Sequence, residues 1–174
     1  MMTALTYGLY AGAVAIAVTL LEYFTGLDKS TGIGLLGWLV DTVCLGFFVY
    51  LASKERKEDD FDGVMTYGQG VGTGALVGTF CGCLVAIFML IYINYINVGF
   101  VDMVVQRQEE AFRASKKMTD DEIKKMLVQV RMWAGPWTIV AVLLMNALFG
   151  TLLALITSIF VRTKDDEGDV VRAV

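Results

Sequence analysis

The chain contains no histidine and a single proline, Pro136, in 174 residues. Lack of histidine removes the side chain that most often serves as general base near neutral pH and as metal ligand. Charge is also scarce, at 18% of residues against about 25% in an average soluble domain. The formal net charge is −4. No basic stripe exists to neutralise phosphates, so no nucleic-acid partner is expected. The three cysteines, Cys44, Cys81 and Cys83, sit in apolar surroundings. Their number is odd, they form no disulfide framework, and they read as small hydrophobes. No Gly-x-Ser-x-Gly elbow, P-loop lysine or H-E-x-x-H helix occurs. Gly68-Gln69-Gly70-Val71-Gly72-Thr73 touches the G-x-G-x-x-G pattern only superficially, because it follows no strand. The expectation is a non-enzymatic chain with no catalytic residue, cofactor or metal.

What is present is apolar and gathered into long blocks. Hydrophobic residues make up 56% of the chain, with mean hydropathy +0.63. A bilayer crossing takes about 20 mostly apolar residues. Four blocks qualify: Ala4–Phe24, Ile33–Ala52, Val71–Ile93 and Trp137–Val161. Continuous blocks of this length are helices, since barrel strands would alternate over about ten residues. The expected fold is therefore an all-α membrane protein, with four transmembrane helices in one bundle over residues 1–174. The third span extends toward 67–95 and the fourth begins with Pro136 in its first turn. The opening Met1-Met2-Thr3-Ala4 lacks a basic n-region, so the first span is expected to stay as an anchor. Leu27 to Gly32 reads as a turn, and the run Lys54–Asp60 as a solvated loop. Tyr92 and Tyr95 suit a membrane–water interface.

The stretch 100–133 is too long for a plain connection. Thr119 and Glu122 form a capping-box pattern, and Ile123, Met126, Leu127 and Val130 follow at helical spacing. Two short amphipathic helices are expected, about Val101–Ser115 and Asp120–Trp133. They would lie on the bilayer, cap the bundle or bind a partner. Lys54, Arg56, Lys57, Arg162 and Lys164 flank span ends on the side of the termini. Lys29 and the basic residues of the connection lie on the other side, the latter largely offset by acids. The positive-inside rule then leans toward cytoplasmic termini in an inner membrane.

Helices in lipid associate through close packing and hydrogen bonds. Gly70, Gly74, Gly78 and Gly82 recur every four residues on the third span, and Gly8 and Gly12 on the first. Such a stripe is expected to hold another backbone, preferably within the bundle. The other spans carry small or polar faces: Gly8, Ala15, Thr19 and Glu22; Gly34, Gly37, Asp41 and Leu45; Asn146, Gly150, Leu153 and Thr157. Turned inward, they would make a left-handed bundle in which every buried polar group finds a partner. Asp41, Glu22 and Asn146 all fall in the half of the membrane nearer the long connection. Two readings follow, a polar cluster tying helices together or a relay for ions or protons. In the first, Asp41 shares a hydrogen bond with Asn146, Thr19 or Thr42.

Lys54–Asp62 leading into Met65-Thr66-Tyr67-Gly68-Gln69-Gly70, the segment Ile91-Tyr92-Ile93-Asn94-Tyr95-Ile96, the connection Asp102–Arg131 and the stretch Gly150–Lys164 together carry a resemblance. Through them the whole chain resembles a family of bacterial four-span membrane proteins of unknown function common in Bacteroidetes. It implies a fold and a membrane location and no activity. The functional expectation is a structural or accessory subunit of a membrane assembly. Its partners are the lipid bilayer and a membrane protein or a second copy. The alternative is a small oligomeric transporter or channel using Asp41 and Glu22.

Overall fold

The computed structural model describes residues 1–26, 31–115 and 118–163. Lys29, Lys164 and most of the turn expected before Gly32 lie outside the described residues. Among those described there is no strand. Five α-helices follow one another: α1 Met2–Thr25, α2 Thr31–Asp59, α3 Tyr67–Ile91, α4 Phe100–Ser115 and α5 Asp120–Val161. All but α4 are long and apolar enough to cross a membrane, and they pack together as a bundle. α3 lies at its centre and packs on α1, α2 and α5, while α2 also touches α1 and α5.

Local sequence explains where the helices start and stop. α1 ends on Gly26 at φ 70°, a left-handed cap that a residue with a Cβ adopts only under strain. α3 starts in a capping box: Gln69 N donates to Thr66 Oγ1 and Thr66 N donates to Gln69 Oε1. α3 runs on through a π-helical turn, Tyr92–Ile96, closed by Asn97 N donating to Tyr92 O at 2.7 Å. Of the two tyrosines expected at an interface, Tyr95 is exposed, whereas Tyr92 is buried against Tyr23 and Phe88.

Two expectations give way. The run Lys54–Asp60 is not a loop, because α2 continues through Asp59. Helix geometry carries Arg56 to Thr73 Oγ1 at 3.0 Å and Lys57 to the Val161 carbonyl at 3.0 Å. These cations thus close the polar end of the bundle. The second amphipathic helix and the fourth span are also not separate. α5 runs unbroken for 42 residues, with Pro136 inside it. Pro136 lacks the N–H that would bond the carbonyl of Met132, four residues back. Met132 and Trp137 are 66% and 68% exposed, so this position lies at the bundle's edge, where the freed carbonyl can bond water. Without a competing stop signal, the capping box at Thr119 and the following periodicity drive one helix through the proline. Thr119 N donates to Glu122 Oε2 at 2.8 Å.

The outer surface is greasy. Phe24, Leu21, Val43, Ile87, Leu144 and Phe160 are all more than half exposed. Large apolar residues facing outward suit acyl chains and not water.

Candidate functional site

The bundle has a tight half and an open half. In the tight half α3 and α5 touch through their backbones. A Cβ on Gly78 would collide with the Asn146 carbonyl oxygen, and one on Gly74 with Ala154. A Cβ on Gly82 would stand 2.9 Å from the Leu143 carbonyl, and one on Gly150 2.6 Å from Gly78 Cα. Gly70 faces Ser158 in the same seam. Gly8 and Gly12 of α1 lie against α3 instead, where a Cβ would meet Phe80 at 2.6 Å and Leu84 at 2.9 Å. These seven glycines thus lie at helix–helix contacts inside one copy of the chain.

Toward the α4 end the helices diverge around a cavity of about 440 Å³. Each of the four long helices contributes residues at helical spacing. α1 presents Ala15 and Thr19; α2 presents Trp38, Asp41, Thr42 and Leu45. α3 adds Cys81, Val85 and Met89, and α5 adds Trp137, Thr138, Asn146 and Phe149. The lining is mostly apolar. Trp38 meets Phe149 edge-on at 5.6 Å. Both tryptophans are about half exposed or more, so the cavity opens past them between α2 and α5.

The polar atoms in this cavity are mainly acceptors. Thr19, Thr42 and Thr138 each donate the hydroxyl proton to a carbonyl four residues back, at 2.9, 2.8 and 2.7 Å. Asn146 donates from Nδ2 to Val142 O at 2.9 Å, and its Oδ1 accepts from the Cys81 thiol at 3.4 Å. Asp41 Oδ1 is buried with no hydrogen-bond partner. The expected bonds from Asp41 to Asn146, Thr19 or Thr42 are therefore not made. The physical reason is competition, since a helical threonine always has its own i−4 carbonyl within reach. Nor does every buried polar group find a partner, because Ser53 Oγ and Ser158 Oγ have none either. Glu22 does not line the cavity. Its carboxylate lies against Gly37, one turn before Asp41 on the same face of α2, where a Cβ would collide with it. Asp41 and Asn146 thus share the cavity, and Glu22 stands behind it at the α1–α2 contact.

Trp38, Trp137, Phe149 and Cys81 were not singled out from sequence as a group. The signal was partly there, because Trp38 precedes Asp41 by three residues and so shares its face. Among the described residues no group of three or more His, Cys, Asp or Glu could hold a metal ion.

A second feature lies outside the bundle. α4 has no buried residue and pairs with the first turns of α5. Arg131 pairs with Asp102. Arg113 pairs with Glu109 and with Asp120, both at 2.9 Å. These hydrogen bonds, that to Glu109 first, hold the Arg113 guanidinium above its ordinary pKa.

Residues 6–163 match the family described as Protein of unknown function (DUF4199). Neither a curated protein nor a solved structure matches the chain.

Proposed function

Because the chain belongs to the DUF4199 family, whose description assigns no activity, we propose a function from its own geometry: a non-enzymatic, multi-pass accessory subunit of a membrane assembly. One observation carries this reading. α5 is 42 residues long, about 63 Å at 1.5 Å per residue, roughly twice the hydrocarbon thickness. The apolar block Trp137–Val161 fills the membrane. Asp120–Pro136 then projects with α4 as a two-helix arm. Arg131–Asp102 and Arg113–Asp120 brace the arm, while Val128 and Met132 on it are 64% and 66% exposed. An arm that buries little of its own surface is suited to a neighbouring protein.

The test places a photo-crosslinking residue at Val128 in cells. A single dominant adduct with another membrane protein is the expected result. An adduct with a second copy, or none, overturns the subunit reading. Orientation belongs to the same proposal. With cytoplasmic termini in a bacterial inner membrane, external labelling reaches a cysteine placed at Ser115 and misses one at Asp60; the reverse pattern inverts the topology.

A second reading, a small oligomeric transporter or channel working through Asp41 and Glu22, is favoured by the cavity that reaches Asp41. Beyond that cavity the α3–α5 seam is closed, so a pathway would need a second copy.

A further inference from the structure

We propose that the cavity between α2 and α5 is a binding site for a primary ammonium group carried on an apolar body, with Asp41 as its counter-ion. The volume of about 440 Å³ falls within the range of small-molecule sites, roughly 300–1,000 Å³. The lining has the composition such sites require: mostly apolar and aromatic walls with a few convergent polar atoms. The kind of polar atom selects the ligand. Thr19, Thr42 and Thr138 have committed their protons to their own helices, and Asn146 has committed one amide proton. The cavity therefore offers lone pairs to an incoming donor. Asp41 lines the cavity, and its Oδ1, buried behind that lining, accepts no hydrogen bond. A primary ammonium brings three N–H donors and no acceptor. It also brings the positive charge that an intramembrane carboxylate otherwise lacks, the role of a ligand counter-ion. The indoles of Trp38 and Trp137 and the ring of Phe149 add faces that attract a cation.

A quaternary ammonium has the charge without the donors, and a neutral alcohol has one donor without the charge. Neither satisfies the Asp41 carboxylate as fully. Two sources supply the favoured chemistry, a free amphiphilic amine and the headgroup of an aminophospholipid. The opening past Trp38 and Trp137 faces the membrane and admits either.

The experiment uses the full chain in nanodiscs of phosphatidylcholine, which carries no primary amine. Tryptophan fluorescence is followed while 2-phenylethylammonium is added. Saturable binding is expected, weakened by about tenfold or more in Asp41→Asn, the scale of a lost charge-assisted bond. Ala141→Leu, which fills the cavity from α5 and keeps the Asp41 carboxylate, should weaken it comparably. This second variant keeps the test decisive if Asp41→Asn folds poorly. 2-Phenylethanol and the trimethylammonium analogue should each bind at least about tenfold more weakly. Equal binding of the alcohol would show an apolar cavity only, and equal binding of the quaternary analogue would show a cation site without donor selection. Either result, saturation by sodium in place of the amine, or no saturable binding overturns the proposal. Competition by phosphatidylethanolamine added to the nanodisc assigns the site to a lipid headgroup; its failure to compete assigns it to a free amine.

Discussion

Asp41 carries a cost that its neighbours do not relieve. A buried polar atom without a hydrogen bond destabilises by about 1–3 kcal/mol, and Oδ1 is such an atom. Sequence alone suggested a carboxyl that ties helices together, whose loss would weaken the fold. The geometry reverses the sign. Asp41→Leu should leave stability unchanged or raise it by about 1 kcal/mol, because leucine removes a desolvated group and no bond is lost. Unfolding in detergent by increasing SDS measures this; a loss of stability would reveal a partner for the carboxyl. Asp41→Asn should fold normally. The same comparison shows what could be read in advance. That Asp41 and Asn146 lie toward the same end of the bundle follows from counting along helices. That they do not bond each other depends on which acceptors the helical backbones already offer, and periodicity does not contain that information.

Individual glycines separate by what faces them. A Cβ at Gly72 meets nothing within 4 Å, whereas one at Gly78 meets the backbone of Asn146 and Gly150. Gly72→Ala should therefore be neutral or stabilise by up to about 1 kcal/mol, the helix preference of alanine. Gly78→Ala should destabilise by about 1–3 kcal/mol, as overpacking does. Equal effects in the same SDS titration would mean that the seam yields. The four-residue spacing was legible because close backbone approach tolerates only small residues. Which helix fills the groove was not, since α1, α2 and α5 all carry small residues on one face. The reading of Pro136 failed for a related reason. A proline fits the first turn of a helix, and it also fits an interior position whose orphaned carbonyl reaches water. Only the position of Met132 at the exposed edge distinguishes the two. Pro136→Ala restores the missing bond, so α5 should resist proteolysis near Trp133 better than the parent does. Faster cleavage there would show that the proline braces this segment.

Over the whole molecule the two ends differ in chemistry. At the terminal end Tyr7 donates to Glu55 at 2.6 Å, and Arg56 holds Asp60 at 2.9 Å. The Met65 carbonyl accepts from Thr163 N at 3.0 Å, closing the α2–α3 loop against the end of α5. Arg56, through its hydrogen bond, and then the N-terminal ammonium hold the Asp60 carboxyl below its ordinary value of 3.8. A lowered carboxylate pKa in the folded state stabilises it above pH 3.8, and that contribution disappears as pH falls through the lower folded value. The loop at Phe61–Met65 should therefore exchange its amide protons faster in acid, beyond the ordinary pH dependence of exchange, and Arg56→Gln should remove this excess. Asp60 is exposed, so the effect is local and does not unfold the bundle.

Tightness itself is unevenly distributed, and this governs movement. Where Gly78 lies on Gly150, no side chain separates the helices, so no rotamer change can absorb a relative displacement. Around the cavity, long side chains such as Met89, Met145 and Trp38 stand between the backbones and can reorient. Packing alone therefore predicts that thermal fluctuation of the bundle is uneven along its length. α3 and α5 are expected to move as one pair. The first part of α2 borders the cavity through Trp38 and Asp41 and takes no part in this seam. The half that carries Asp41 is thus the half expected to change its width, with the seam as its fixed side.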